Sequence, residues 1–228
     1  MTILCIETST SVCSAAICKD GVPMNQCICR EGSNHAQLLP LYIESLLRYA
    51  QENGLAIDAV ALSEGPGSYT GLRIGTATAK GLCYGLNIPL IPVPTLAVLC
   101  EAAKKNTAYK IQDTDLLCPM IDARRMEVYT TGPDGKARAV VVENEDSLFC
   151  QCSSNETVCF FGDGAAKCQA VLTNPNWHYI AGIVPEAQYM GNLAEESAFR
   201  CQASEIAYYE PYYLKEFIAA QSHVKGLK

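Results

Sequence analysis

The first thirty residues constrain the fold more than any other stretch of the chain. Residues 2–7 (TILCIE) read as a buried strand, and a hydroxyl-rich turn, Thr8-Ser9-Thr10-Ser11, follows it. Residues 12–18 (VCSAAIC) read as the returning strand. Asp20-Gly21 is a strong two-residue hairpin signal, and residues 22–29 make a third strand. A three-stranded meander at the start must then find the rest of its sheet, and the helices to cover it, further along.

The next segments supply them. A helix is predicted from about Asn34 to Asn53, with Asn34 and Gln37 spaced as a capping box and Gly54 closing the far end. Pro40 conflicts with that helix, since it lacks an N–H and should kink it or shift its start. Residues 58–63 form a short apolar strand that ends in a loop at 64–69. A second helix runs from about Thr70 to Leu86, a strand covers 89–93, and Thr95 opens a third helix ending near Lys105. The order β-β-β-α-β-α-β-α specifies an α/β lobe, a mixed sheet with helices on its faces.

A polar stretch at 106–115 marks a lobe boundary, dividing the chain into residues 1–106 and 107–228. Beyond it, 116–121, 127–131, 137–142 and 158–161 read as strands, with Pro133-Asp134-Gly135 as a turn. Gly162-Asp163-Gly164-Ala165 ends the last of these, with a helix expected after it. The second half repeats the element order of the first in degraded form, without detectable sequence identity between them.

Composition removes several classes of function. Of 228 residues 49% are apolar and 18% charged, enough for a real core, and no apolar run approaches the eighteen or so residues of a membrane span. The opening MTILCIETSTS lacks a basic n-region and a small-residue cleavage site, so a cytoplasmic location is expected. Thirteen cysteines raise a metal or disulfide reading, but the count is odd and no C-x-x-C occurs. The closest pairs are Cys27/Cys29 and Cys150/Cys152, and His35, His178 and His223 are too scattered to complete a zinc set. Most of the cysteines sit in apolar runs, where a thiol acts as a small hydrophobe in a reducing compartment. The net charge of −7 leaves only short basic spots, Arg124-Arg125 and Lys104-Lys105. Independent RNA binding needs a basic face, so any role on RNA should pass through a partner.

Four features could carry chemistry. Backbone N–H groups and hydroxyls of the Thr8, Ser9 and Thr10 turn could hold a phosphate, with Gly162 and Gly164 as the matching turn of the second half; the alternative is a polar hairpin turn. The run Gly65-Pro66-Gly67-Ser68-Tyr69-Thr70-Gly71-Leu72-Arg73-Ile74-Gly75 is glycine-dense and leads into a helix. It fits neither a dinucleotide fingerprint, which would need glycine at Thr70, nor a Walker A loop, which needs Gly-Lys. His35 has Leu39 four residues on, so the paired-histidine metal motif of a helix face is half missing. The charged run 122–127 (DARRME) is either a salt-bridge cluster at the lobe cleft or a solvated turn. No G-x-S-x-G occurs, which leaves serine-triad hydrolysis without support.

The two long helices are too apolar for one sheet. In the second, Gly71, Gly75 and Ala79 repeat every four residues and clear a face, while Leu72, Thr76, Ala79, Cys83 and Leu86 line its neighbour. In the first, Gln37, Glu44, Arg48 and Gln51 leave a wide arc from Leu38 through Leu41, Tyr42, Leu46 and Tyr49. Core packing is one reading. A helix–helix interface with another subunit is the preferred one, through Leu38, Tyr42, Leu72, Gly75, Thr76, Ala79 and Cys83.

Taken with ILCIETSTSVCSAAI, HAQLLP (35–40), GPGSYTGLRIGTATAKGL (65–82), PVPTLAVL (92–99) and DARRMEVY (122–129), the chain resembles the TsaB family. The match runs almost continuously through the first lobe and thins after Tyr129. The resemblance implies the actin-like fold of the acetate and sugar kinase and Hsp70 superfamily, in two lobes. It implies a non-catalytic subunit that binds and activates TsaD, which forms the threonylcarbamoyladenosine modification of tRNA beside the anticodon. TsaD carries a His-x-x-x-His pair, and Leu39 stands where the second histidine would be. TsaE, an ATPase, joins the pair, self-association as a homodimer is possible, and tRNA is met only through the complex. No cofactor is required: Glu7 stands where an aspartate usually ends the first phosphate hairpin, and Asp163 would repel a phosphate, so ATP or ADP binding is disfavoured. The alternatives are an ATP-dependent enzyme of the same fold and a metallopeptidase-like protein.

Overall fold

A computed structural model describes residues 1–32, 34–132, 134–148 and 156–215. Pro133, the Cys150/Cys152 pair and His223 fall outside them. The first sheet holds β1 (Thr2–Glu7), β2 (Cys13–Lys19), β3 (Val22–Cys29), β4 (Ala59–Gly65) and β5 (Leu90–Pro94) in the order β3-β2-β1-β4-β5. The first three strands pair antiparallel as the meander requires, and β4 and β5 add in parallel. Asp20 and Gly21 both take positive φ (49° and 77°), the backbone of a tight hairpin whose twist matches its strands.

Alternate residues of these strands feed two cores. Leu4, Ile6, Ala15, Ile17, Val60 and Leu62 face α1 (His35–Glu52) and α2 (Tyr69–Leu86). Ile3, Cys5, Ala16, Cys18, Ala61 and Ile91 face the other way. That second face is covered by Val98 of α3 (Thr95–Lys104) and by Ala187, Met190 and Ala194 from far along the chain.

Helix α1 departs from expectation at both its cap and its proline. Asn34 stands at the N-cap without a side-chain bond, because its backbone (φ −92°, ψ 31°) is not the extended one that aims an Asn side chain inward. Its carbonyl instead accepts from Gln37 and Leu38 N–H. The helix runs through Pro40 from His35; Ala36 and Pro40 are both exposed, so the carbonyl left without a partner lies on the wet side. Gly54, at φ 65°, ends it as predicted, with Leu55 N–H bonding back to the Ala50 carbonyl.

The second half builds two three-stranded sheets. β6 (Leu116–Pro119), β10 (Val158–Phe161) and β11 (Trp177–Ile180) form a parallel sheet in the order β11-β10-β6. β7 (Ile121–Asp122), β8 (Glu127–Thr131) and β9 (Ala137–Val141) form an antiparallel one. The single strand expected over 116–121 therefore splits at Met120. That residue donates to the Phe161 carbonyl and accepts from Gly164 N–H, so the chain leaves one sheet for the other there. The helix expected after Ala165 is a single 3-10 turn, Ala166–Cys168. β11 and a short helix α4 (Gly191–Glu196) have no counterpart in the expected order.

The chain does not part cleanly at residues 106/107. Cys201 and Ile206 join the core under α1 and α2, and Cys201 bridges back to Leu90 of β5. Leu96 and Leu99 of α3 pack with Ile121, Phe161 and Ile180, tying the halves together. The described cysteines Cys5, Cys18, Cys83, Cys118, Cys159 and Cys168 are buried free thiols packed among apolar side chains. No helix among the described residues is long and apolar enough to cross a membrane.

Candidate functional site

The glycine-dense run at the start of α2 is shaped by the hydroxyl turn after β1. A Cβ added at Gly67, Gly71 or Gly75 would come closer than 3.0 Å to the Ser9 carbonyl, the Thr8 carbonyl or the Thr8 hydroxyl respectively. Thr8 Oγ1 donates to the Gly71 carbonyl at 2.8 Å, and Ser68 N–H donates to the Ser9 carbonyl at 2.6 Å. Ser68 caps α2 by accepting from Gly71 N–H. The turn and the helix start are therefore a single fitted joint.

This joint corrects the expected subunit seam on α2. Leu72, Gly75, Thr76, Ala79 and Cys83 are all buried within the chain itself, against the Thr8 turn, β4 and β1. The small-residue stripe clears space for the chain's own backbone. The exposed face of α2 lies opposite, at Thr70, Arg73, Ala77, Gly81 and Tyr84, with Tyr84 78% exposed. On the neighbouring α1, His35, Leu39, Ile43, Leu46 and Ala50 are buried, whereas Leu38 and Tyr42 are half-buried and Leu41 is 60% exposed. The excess apolar arc of α1 thus does reach solvent, beside a face of α2 that holds different residues from those expected.

His35 is buried, and its Nε2 lies 2.9 Å from the Thr10 carbonyl, so the ring ties α1 to the hydroxyl turn. Leu39, four residues on, is fully buried in the first core.

Between the two halves lies a cleft of about 580 Å³. One wall is Ser9, Thr10, Ser11 and residues 67–71 at the start of α2; the facing wall is Ile121, Asp122, Ala123, Arg124, Tyr129 and Asp163. Residues 212–215 close a third side. Of the phosphate-binding candidates, Ser9 and Thr10 reach the cleft, and Thr8, Gly162 and Gly164 do not line it. Ser9 spends its N–H and its hydroxyl on the Glu7 carboxylate, and Thr10 Oγ1 accepts from Val12 N–H. A Cβ at Gly162 or Gly164 would collide with the backbone of Met120 or Ile121, so those glycines too serve internal packing.

Two carboxyls, Glu7 buried behind Ser9 and Asp163 in the lining, are reluctant to ionise. Burial pushes the Glu7 carboxyl above its ordinary range against the opposing Ser9 bonds, and the nearby Asp163 adds repulsion. Desolvation by the surrounding walls likewise raises Asp163, although its carboxylate accepts from Asp122 N–H at 3.0 Å. Beside Asp163, the 122–127 run is a charged cluster at the cleft. Lys167 pairs with Asp122 and also donates to the Glu127 carbonyl at 2.7 Å, while Lys215 pairs with the Glu127 side chain. Arg124 and Arg125 both take left-handed backbone (φ 71° and 50°) at the tip of the β7–β8 hairpin, a conformation that costs non-glycine residues about 1–2 kcal/mol each.

Tyr129 and residues 212–215 are the site residues that sequence reasoning missed. A signal was present: Tyr208, Tyr209, Tyr212 and Tyr213 crowd four of the chain's twelve tyrosines into six positions.

Comparison with known proteins places this geometry. The family model described as TsaD, tRNA N6-adenosine threonylcarbamoyltransferase, matches residues 31–147, just over half of the chain. Proteins named tRNA threonylcarbamoyladenosine biosynthesis protein TsaB are similar to it. The one from Haemophilus influenzae is 32% identical over 57% of this chain and 52% of its own, and that from Escherichia coli 37% identical over 57% and 53%. The aligned part thus spans about half the length of these relatives. Among solved structures, YeaZ from Pseudomonas aeruginosa superposes with a TM-score of 0.69 at 25% identity, covering 93% of this chain and 99% of its own. A second Pseudomonas aeruginosa structure, titled as an uncharacterized protein similar to peptidase YEAZ, gives 0.73 over 94% and 99% at 24% identity, a likeness of fold alone. The fold is α/β and actin-like, and the chain belongs to the threonylcarbamoyladenosine family that the TsaD model describes, on its TsaB side.

Proposed function

We propose that this chain is a non-catalytic subunit that binds and activates a TsaD-type protein in forming the threonylcarbamoyladenosine modification of tRNA. The observation that carries the reading is the bare outer surface of two adjacent helices. On α2 small residues, Ala77 and Gly81, leave room for close approach beside Tyr84, and on α1 Leu41 projects next to the half-buried Leu38 and Tyr42. Among the described residues nothing in the chain's own fold covers this face. Small residues flanked by exposed apolar ones suit helix packing against a second protein. A related subunit with its own two helices is the occupant that family membership supports, and a second copy of this chain could take the same face when that subunit is absent.

Three further points support a partner role. Leu39 fills the position where a helix-face metal pair would need its second histidine, and it is sealed in the core. Thr8 and Ser9 of the hydroxyl turn are committed to internal bonds, which removes two of the donors that a phosphate would draw on there. The net charge of −7 assigns tRNA contact to the assembled complex, which TsaE joins as the ATPase.

The test is co-purification with the TsaD-type protein of the same cell. Wild-type chain should co-elute with it, and Leu41→Asp with Tyr84→Arg should not, at an unchanged thermal midpoint. Unpaired charges buried in a seam cost roughly 3–5 kcal/mol, against the about 8 kcal/mol that holds a micromolar pair. Co-elution of the double variant would overturn the assignment of this face. Turnover of Mg-ATP by the isolated chain would overturn the non-catalytic role.

A further inference from the structure

The segment from Ile206 to Lys215 starts in one half of the molecule and ends on the other. Its root is fixed: Ile206 and Tyr209 pack into the core beneath α2, and Lys80 Nζ donates to the Ala207 carbonyl at 2.9 Å. Pro211 is buried, and Tyr212 N–H donates to the Glu64 carbonyl at 2.7 Å, laying the backbone across the end of β4. Gly65 is shaped for that crossing. Its φ of 114° is closed to side-chain-bearing residues, and a Cβ there would stand 2.5 Å from the Tyr212 carbonyl. Next along, the Tyr213 ring packs on Tyr69 with centroids 5.1 Å apart. The Arg73 guanidinium lies 4.3 Å over the Tyr69 ring, and the neighbouring Tyr213 phenol favours its charged form. The far end is held by the second half, where Lys215 pairs with Glu127 on β8.

We propose that residues 209–215 are a strap that sets the opening of the cleft, rooted in the first half, pinned by Tyr213 packing on Tyr69, whose ring Arg73 also covers, and clasped to the second half by Lys215. The three attachments differ in kind. The root is apolar and permanent, the clasp is a surface ion pair worth little alone, and the pin is a stacked cation and two rings beside the mouth of the cleft. The pin is the point of control because Arg73 is exposed, so withdrawing its guanidinium loosens the strap without disturbing a core residue. Release frees one wall of the cleft and one of the ties between the two halves.

Hydrogen–deuterium exchange on the full chain tests this. In the wild type, peptides covering 209–215 should exchange at least tenfold more slowly than an unstructured chain. Tyr213→Ala should accelerate them tenfold or more and carry 64–71 with them, leaving β10 unchanged. Arg73→Ala, a surface change that keeps the fold, should accelerate the same two stretches by about threefold or more, and Lys215→Ala should affect only the last residues. Small-angle scattering should report a larger radius of gyration for Tyr213→Ala. Wild-type exchange at the free-chain rate in 209–215 would overturn the strap. So would Arg73→Ala and Tyr213→Ala variants that leave 64–71 as protected as in the wild type.

Discussion

The two sides of α2 are built from the same small residues and do opposite things. Its inner side, at Gly71, Gly75 and Ala79, is small because the chain's own Thr8–Ser9 turn presses into it. Its outer side, at Ala77 and Gly81, is small with nothing against it: a Cβ at Gly81 meets no atom within 4 Å. A stripe of small residues therefore states that something approaches closely, and only the surroundings tell whether that is the chain itself or another molecule. A glycine whose missing side chain is already occupied from within cannot also receive a partner.

Substitutions at matched positions break or sharpen this contrast. Among the changes that keep the fold, Gly71→Ala should cost the most. Alanine gains about 1 kcal/mol of helix propensity over glycine, but overpacking against the Thr8 carbonyl costs about 3 kcal/mol. A net loss of about 2 kcal/mol is expected in urea unfolding, and a neutral result would dissolve the distinction between the sides. Gly75→Arg goes further and should yield no folded protein, so loss of partner binding in that variant says nothing about an interface.

Thr8→Val removes the hydroxyl that Gly71 accepts from while keeping its shape, and should cost about 1 kcal/mol by the same measurement. On the outer side Gly81→Ala should raise stability by about 0.8 kcal/mol, because propensity acts there without a clash. The opposite sign of two Gly→Ala changes in one helix is the sharpest form of the comparison.

The smallest effect is a pH dependence beneath the joint. Glu7 has its folded pKa raised by burial, so the folded state holds the proton more tightly than the unfolded chain. Its contribution is fully present below the ordinary glutamate pKa and is lost as pH rises through the raised folded value. Glu7→Gln should therefore gain thermal stability relative to the wild type as pH goes from 4 to 8. A difference that shrinks over that range would reverse the assignment of Glu7 as a proton-holding group.

The order of elements in the first half was legible because each depends on nearby residues: alternation in β1 and β2, Asp20-Gly21 at the hairpin, Gly54 after α1. The inner side of α2 was misread because periodicity reports that a face is special without reporting its partner. Gly75 is settled by Thr8, 67 positions earlier, and no local pattern carries that pairing. β11 and α4 are too short for a period to establish itself. The cleft was half legible: the 122–127 run pointed to it, whereas residues 212–215 arrive from the end of the chain. Their crowded tyrosines were a signal of composition, not of spacing.

The late return of the chain to its first sheet also has a consequence for how the protein is made. Ala187 N–H bonds to the Ser14 hydroxyl across 173 positions, and Ala187, Met190 and Ala194 cover the face that Cys5, Ala16 and Cys18 present. At about 5–20 residues per second of synthesis, that face waits roughly 10–30 s on the ribosome for its cover. During this interval the nascent meander is an apolar surface with an open strand edge, a natural client for a ribosome-associated chaperone.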